Sequence, residues 1–243
     1  MAHGTPDWGQ TAGAVTVYQL SDMAELAARL GSPITHDRRG DVMWWDDFEW
    51  SLNKWQATVS GTGAAAAIST ARARNGRCSV LLTAGSDGGF LSEIAHLLPF
   101  PALSNLGAEF SFSLGSVISD LTLEQTIRDG AASVAYGVRW NDVTNMLQYF
   151  SSAGAWTDLA ATPQYSSGPS LFHVMKVVVD AVARKYVRLI VDDVAISMAG
   201  LGAEVSVSAF APLWTVEITN NGRAGSNDTV YIDDVILTQN EPV

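Results

Sequence analysis

The sequence predicts an all-β protein, built as a sandwich or a barrel. Three observations lead there. Apolar and polar residues alternate at period two in several stretches, turn dipeptides punctuate the chain between them, and a single short stretch carries helical spacing.

The elements follow in chain order. The first twenty residues are rich in Gly, Thr and Ala, with Pro6 and Trp8 as the rigid features, and read as an extended arm. Asp22 and Glu25 have the spacing of a capping box, and Met23, Leu26, Ala27 and Leu30 form one apolar stripe before Gly31 and Pro33 end the helix. A helix of about ten residues is marginal alone, so it is expected to dock on something. From Asp41 the period changes. Phe110, Phe112 and Leu114 alternate with Glu109, Ser111 and Ser113; Val205, Val207 and Ala209 alternate with Glu204, Ser206 and Ser208; Trp214, Val216 and Ile218 alternate with Thr215, Glu217 and Thr219. Each reads as a half-buried strand with one wet face. Segments 173–180 and 186–194 are richer in Val and Ile and read as central strands. The run Ala64 to Ala67 reads as a tightly packed strand, and the stretch 160–170, with Pro163, Gly168 and Pro169, as a loop. Asn75-Gly76, Asp87-Gly88, Asp129-Gly130 and Asn221-Gly222 supply turns.

The 243 residues are 47% hydrophobic and 16% charged, with a net charge of -11. So few charges imply a neutral exterior or a surface covered by partners. The acidic balance argues against nucleic acid and anionic membranes as partners. No apolar run approaches the roughly 18 residues of a membrane span. A single cysteine, Cys78, excludes an internal disulfide framework and any multi-cysteine metal site.

Few residues stand at a spacing that catalysis requires. A Glu-x-Asp-x-Glu string would place carboxylates on one strand face, where they converge on one sugar, and none is present. The acidic pairs Asp46-Asp47, Asp192-Asp193 and Asp233-Asp234 are adjacent, so on a regular strand their side chains point to opposite faces. His3, His36, His96 and His173 stand in unrelated contexts without a nucleophile elbow, and His173 reads as structural. Cys78 reads as a small, half-buried residue. The chain is therefore expected to have no enzymatic activity. Trp44, Trp45, Trp50 and Trp55 cluster near the first strand; of the others, Trp140 shares an apolar face with Val134, Tyr136 and Val138 and belongs in the core. Trp156 and Trp50 are the candidates for an exposed aromatic that meets carbohydrate or a protein interface.

Three pieces carry a resemblance. Phe172 to Asp180 with Tyr186 to Asp193 resembles the strand pair of laminin-G-like domains of the concanavalin A-like superfamily. Asp46-Asp47-Phe48-Glu49 with Trp55, and Val230 to Leu237, resemble the opening and closing strands of jelly-roll modules, including carbohydrate-binding ones. Together they imply a jelly-roll β-sandwich over residues 46–243, with residues 1–45 as arm and docking helix. In such modules the opening Phe-Glu and closing Asp-Asp-Val share a structural calcium, which implies Glu49 and Asp234 as ligands, with Asp47 as a third. The leader, from His3 through Leu30 to Asp41, is similar to that of some tailed-phage structural proteins. The expectation is a non-enzymatic virion protein, a capsid decoration or fibre-like component. It would assemble as a homo-oligomer, a trimer by preference, and with other virion proteins through Trp8, Met23, Leu26 and Leu30. A host glycan is a further expected partner. The alternatives are a lectin-like carbohydrate-binding module and a divergent glycoside hydrolase.

Overall fold

The computed structural model describes residues 10–11, 14–15, 39–161 and 171–243. Most of the expected arm and the whole expected helix, with Trp8, Met23, Leu26 and Leu30, lie outside them, as does most of the 160–170 loop. β1 (Gln10–Thr11) and β2 (Ala14–Val15) pair only with each other. The chain continues through β3 (Asp41–Asp46), β4 (Gln56–Val59), β5 (Ala65–Ser69), β6 (Ser79–Thr83), β7 (Leu91–Pro99), β8 (Asn105–Leu114), β9 (Asp120–Arg128) and β10 (Ala132–Asn141). It then forms β11 (Met146–Phe150), β12 (Trp156–Ala161), β13 (His173–Asp180), β14 (Lys185–Val191), β15 (Val194–Ser197), β16 (Glu204–Val207), β17 (Leu213–Asn221) and β18 (Thr229–Gln239). No helix occurs among the described residues.

These strands make two antiparallel eight-stranded sheets. The front sheet runs β12-β11-β10-β9-β17-β7-β4, with β16 also on β10; the back sheet runs β15-β14-β13-β8-β18-β6-β5, with β3 also on β18. The sandwich thus takes in residues from Asp41, ahead of the expected boundary at 46. Alternation fills the space between the sheets. Phe110, Phe112 and Val177 from the back sheet meet Tyr136, Trp140, Trp214 and Val216 from the front, all fully buried. Trp140 is core, as its pattern predicts. Segment 173–180 is β13, paired on both sides by β8 and β14.

Four expectations need correction. The polar residues of β8 do not face water: Glu109, Ser111 and Ser113 are buried. The outer side of the back sheet is covered by the 72–78 loop and the C-terminal tail. Arg72 and Arg74 hydrogen-bond the Ser113 and Ser111 hydroxyls, and Glu241 pairs with Lys176 at 2.7 Å and with Arg188. Segment 204–207 is not a half-buried strand with its valines inside. Val207 is 97% exposed, because β16 is a short edge strand held only by β10. The alanine run is a strand, but a largely exposed edge one, since β5 pairs only with β6.

The fourth is strict alternation at Asp233-Asp234. Register shifts between Asp233↔Ser111 and Ile236↔Glu109, so β18 carries one extra residue there. Asp234 adopts φ 53° in this bulge. Both carboxyls therefore reach the same loop, Asp233 accepting from the Arg74 amide at 2.7 Å and Asp234 from the Asn75 side chain at 3.0 Å.

Candidate functional site

The outer face of the front sheet is built from the residues opposite to its core set. Antiparallel register arranges them in rows across the strands. One row runs from Trp156 beside Phe150 on β12 and β11, through Gly137 opposite Glu124, to Glu217, Ala95 and Gln56. The next contains Asp158, Gln148, Arg139, Thr122, Thr219, Glu93 and Thr58. On the other side lie Glu204, Ala135, Thr126 and Thr215. Three glutamates from strands far apart in sequence, Glu93, Glu124 and Glu217, are thereby gathered at the centre of one sheet face.

Hydrogen bonds fix the surroundings of this face. Arg139 Nε donates to Gln148 Oε1 at 2.7 Å, and Gln148 Nε2 donates to Asp158 Oδ1 at 2.7 Å. The Arg139 guanidinium lies 4.4 Å over the Trp156 ring. Trp156 in turn lies across Gly137, where an added Cβ would meet its ring at 2.9 Å. Thr219 donates its hydroxyl to Glu93 Oε2 at 3.1 Å. Burial, then the charges of Glu124 and Glu93, push the Glu217 carboxyl up to about 7. Burial and the neighbouring Glu93 and Glu204 raise Glu124 as well, and the Thr126 hydroxyl opposes that rise.

The second locus is the corner where the chain enters and leaves the back sheet. It sets Glu49 near Asp233, and Asp47 and Asp233 near Asp234. Phe48, buried at φ 56°, anchors the turn in the core. Glu49 Oε1 accepts the Arg77 and Cys78 amides at 2.6 and 2.7 Å, and Asp47 Oδ1 accepts the Glu49 amide at 3.3 Å. Asp233 accepts amides on both oxygens, from Arg74 and Asp234. Calcium takes six to eight oxygen ligands. Here the carboxylates are engaged by N–H donors, and among the described residues no three acidic, histidine or cysteine side chains form a ligand group. One oxygen each of Glu49, Asp47 and Asp234 is engaged by an N–H donor, and the corner is a hydrogen-bonded cluster of acids. Burial pushes Asp233 up to about 7 and Asp234, which also faces Asp233, up to about 8. The amides on Asp233 favour its charged form, which leaves the proton on Asp234.

The two aromatic candidates are not brought together. Trp156 is half-buried on the front face, whereas Trp50 is 91% exposed and lines a cleft of about 530 Å³ beside Asp47, Glu49, Thr70, Arg77 and Cys78. His173 meets Asp192 at 2.8 Å, a structural pairing. Sequence reasoning missed the glutamates. A signal existed, since Glu217 sits on the polar side of an alternating stretch, but which strands neighbour β17 is not written in any local pattern.

Comparison with known proteins bears on the architecture. No family model matches the chain, and no curated protein matches it. Among solved structures, a lectin, UEA-II complexed with galactose, superposes with TM-score 0.51 at 8% identity, over 82% of this chain and 98% of the lectin. The fold is a concanavalin A-like jelly roll. A carbohydrate esterase from the Shiga toxin-encoding bacteriophage phi24B matches at TM-score 0.56 and 15% identity, over 83% of this chain and 99% of the other. A sialidase matches at TM-score 0.51 and 13% identity over 83% of this chain, which spans only 19% of the sialidase.

Proposed function

We propose that this jelly roll is a carbohydrate-binding protein that takes a glycan across the outer face of its front sheet. The observation that carries the reading is the set of rows around Glu124 and Glu217. They offer carboxyl, amide, guanidinium and hydroxyl groups on a rigid sheet, the groups that hydrogen-bond sugar hydroxyls. Sheet-borne side chains are held more precisely than loop-borne ones. Three glutamates on this face, on a chain of net charge -11, would repel uronic or sialic acids, so the glycan is a neutral one. The lectin neighbour, complexed with galactose, supports a carbohydrate ligand for this architecture.

The test is a glycan array with the full chain and Gly137→Ala. The wild type should bind a neutral glycan. The variant should bind it about tenfold more weakly, since the added methyl pushes Trp156 and its Arg139 partner out of place. An array with no neutral glycan bound, or binding indifferent to Gly137→Ala, contradicts the reading.

A second reading sets the protein on a tailed-phage particle, as a decoration or fibre-like part that presents this face to a host glycan. The phage origin of the esterase neighbour favours it. Recovery of the chain from purified particles is the observation it requires.

A further inference from the structure

We propose that the cleft beside Trp50 binds a small zwitterion of the phosphocholine type. Its alkylated ammonium would lie on the side of Asp47, Glu49 and Trp50, and its phosphate on the side of Thr70, Arg77 and Cys78. None of these residues belongs to the rows of the front face, so the inference stands apart from the glycan reading.

Two segments build the cleft. The first is the turn that follows β3. Phe48 is buried there at φ 56°, a backbone that bulky residues rarely adopt, and it anchors the turn while Trp50 stays in solvent. The second is the connection between β5 and β6. Ser69 pairs with Ser79, so Thr70 leaves β5 where Arg77 and Cys78 enter β6. The Arg77 and Cys78 amides both bond Glu49 Oε1 and tie the two walls together.

The walls differ in chemistry. The first offers acceptors and an aromatic face. Glu49 Oε2 and Asp47 Oδ2 accept no hydrogen bond from the described residues, and the Trp50 ring stacks on none of them. A cation over a tryptophan face is attracted by the ring, and carboxylates beside it add to the attraction. The second wall offers donors: the Thr70 hydroxyl, the Arg77 guanidinium and the Cys78 thiol. The Arg77 guanidinium pairs with no carboxylate among the described residues, although the chain has 25 acidic residues against 14 basic ones. Its planar fork matches the oxygens of a phosphate.

The two signs select the ligand. A plain cation would meet Arg77 as a like charge. A plain anion would meet Asp47 and Glu49. A neutral molecule would leave both charged walls unpaired. A ligand with both ends complements both walls, and like-charge contacts reject the others. The cleft, at about 530 Å³, is far larger than an ammonium group and has room for both ends.

The experiment is a calorimetric titration of the full chain with phosphocholine, in chelator so that no metal ion bridges the phosphate. Phosphocholine should bind, and choline or inorganic phosphate alone should each bind at least about tenfold more weakly. Dimethylbutanol, the uncharged carbon isostere of choline, should give no heat. Trp50 and Arg77 are both exposed, so Trp50→Leu and Arg77→Gln should fold as wild type does. Each should weaken phosphocholine about tenfold, and Arg77→Gln should leave the affinity for choline undiminished. Phosphatidylcholine vesicles identify the source. Flotation with vesicles, reversed by free phosphocholine, assigns the ligand to a lipid headgroup; phosphocholine binding without flotation assigns it to a soluble molecule. Absence of heat with phosphocholine overturns the proposal. Binding indifferent to both substitutions, or an isostere that binds as well as choline, overturns it equally.

Discussion

At the scale of single residues, Asp234 shows how a local backbone choice sets an electrostatic one. Its bulge conformation puts it beside Asp233 in a buried corner, and the pair retains a proton to about pH 8. A carboxyl whose folded pKa lies above its unfolded value near 3.8 binds more protons in the native state. Stability is then highest below that unfolded value and falls as pH rises toward about 8, levelling off beyond. Asp234→Asn imitates the protonated form and suits a left-handed backbone, which Asn tolerates well. The variant's advantage over wild type should grow between pH 5 and pH 8.5, by an amount on the order of several kcal/mol. Thermal melts at the two pH values decide this. A bound calcium would reverse the sign, since the variant would lose a ligand, and wild type would then melt lower in chelator.

At the scale of elements, the back sheet depends on the segment that follows its last strand. After β18 the tail places Glu241, fully buried, between Lys176 of β13 and Arg188 of β14. Thr238 also donates to Glu241 at 2.6 Å. Removing one partner from a buried ionic group leaves uncompensated charge, at a cost of about 3–5 kcal/mol. Glu241→Ala should lose that much in urea unfolding, with an unchanged slope. A loss under about 1 kcal/mol would mean that the tail is not a structural cover. This cover also marks the limit of what the sequence reveals. Alternation in β8 and β17 looks the same on the page: Phe110 and Phe112 with serines between, Trp214 and Val216 with threonine and glutamate between. One polar face is buried under a loop and a tail that lie far away in the chain, and the other holds the half-buried Glu217 between Thr215 and Thr219. The strands themselves are legible because period two is a local property. Residues 173–180 were legible as a central strand because Val174, Met175, Val177, Val178 and Val179 put apolar side chains on both faces. The gathering of Glu93, Glu124 and Glu217 was not, because it depends on β17 lying between β7 and β9, a pairing set by the packing of the whole sandwich. Glu49 and Asp234 were placed at one corner through resemblance alone, and the bulge that makes room for Asp233 beside them has no sequence signature.

At the scale of the whole molecule, the two sheets have separate tasks. The back sheet is closed: its outer side is occupied by Arg72 and Arg74 on the Ser113 and Ser111 hydroxyls, and by Glu241 paired with Lys176 and Arg188. The front sheet carries polar rows on its outer side, with Glu93, Glu124 and Glu217 half-buried, ordered by the same strands that bury Tyr136, Trp140 and Trp214 on the other side. A face built this way is rigid before it meets a ligand, so little ordering entropy opposes binding. The Trp50 cleft at the acid corner is the competing location. The measurement that separates them is an NMR titration of the threonine methyls and tryptophan indoles with a neutral oligosaccharide. Shifts confined to Thr122, Thr126, Thr215, Thr219 and Trp156 are the predicted result. Shifts at Trp50 and Thr70 with a silent front face, or no shifts with any neutral glycan, would contradict the account.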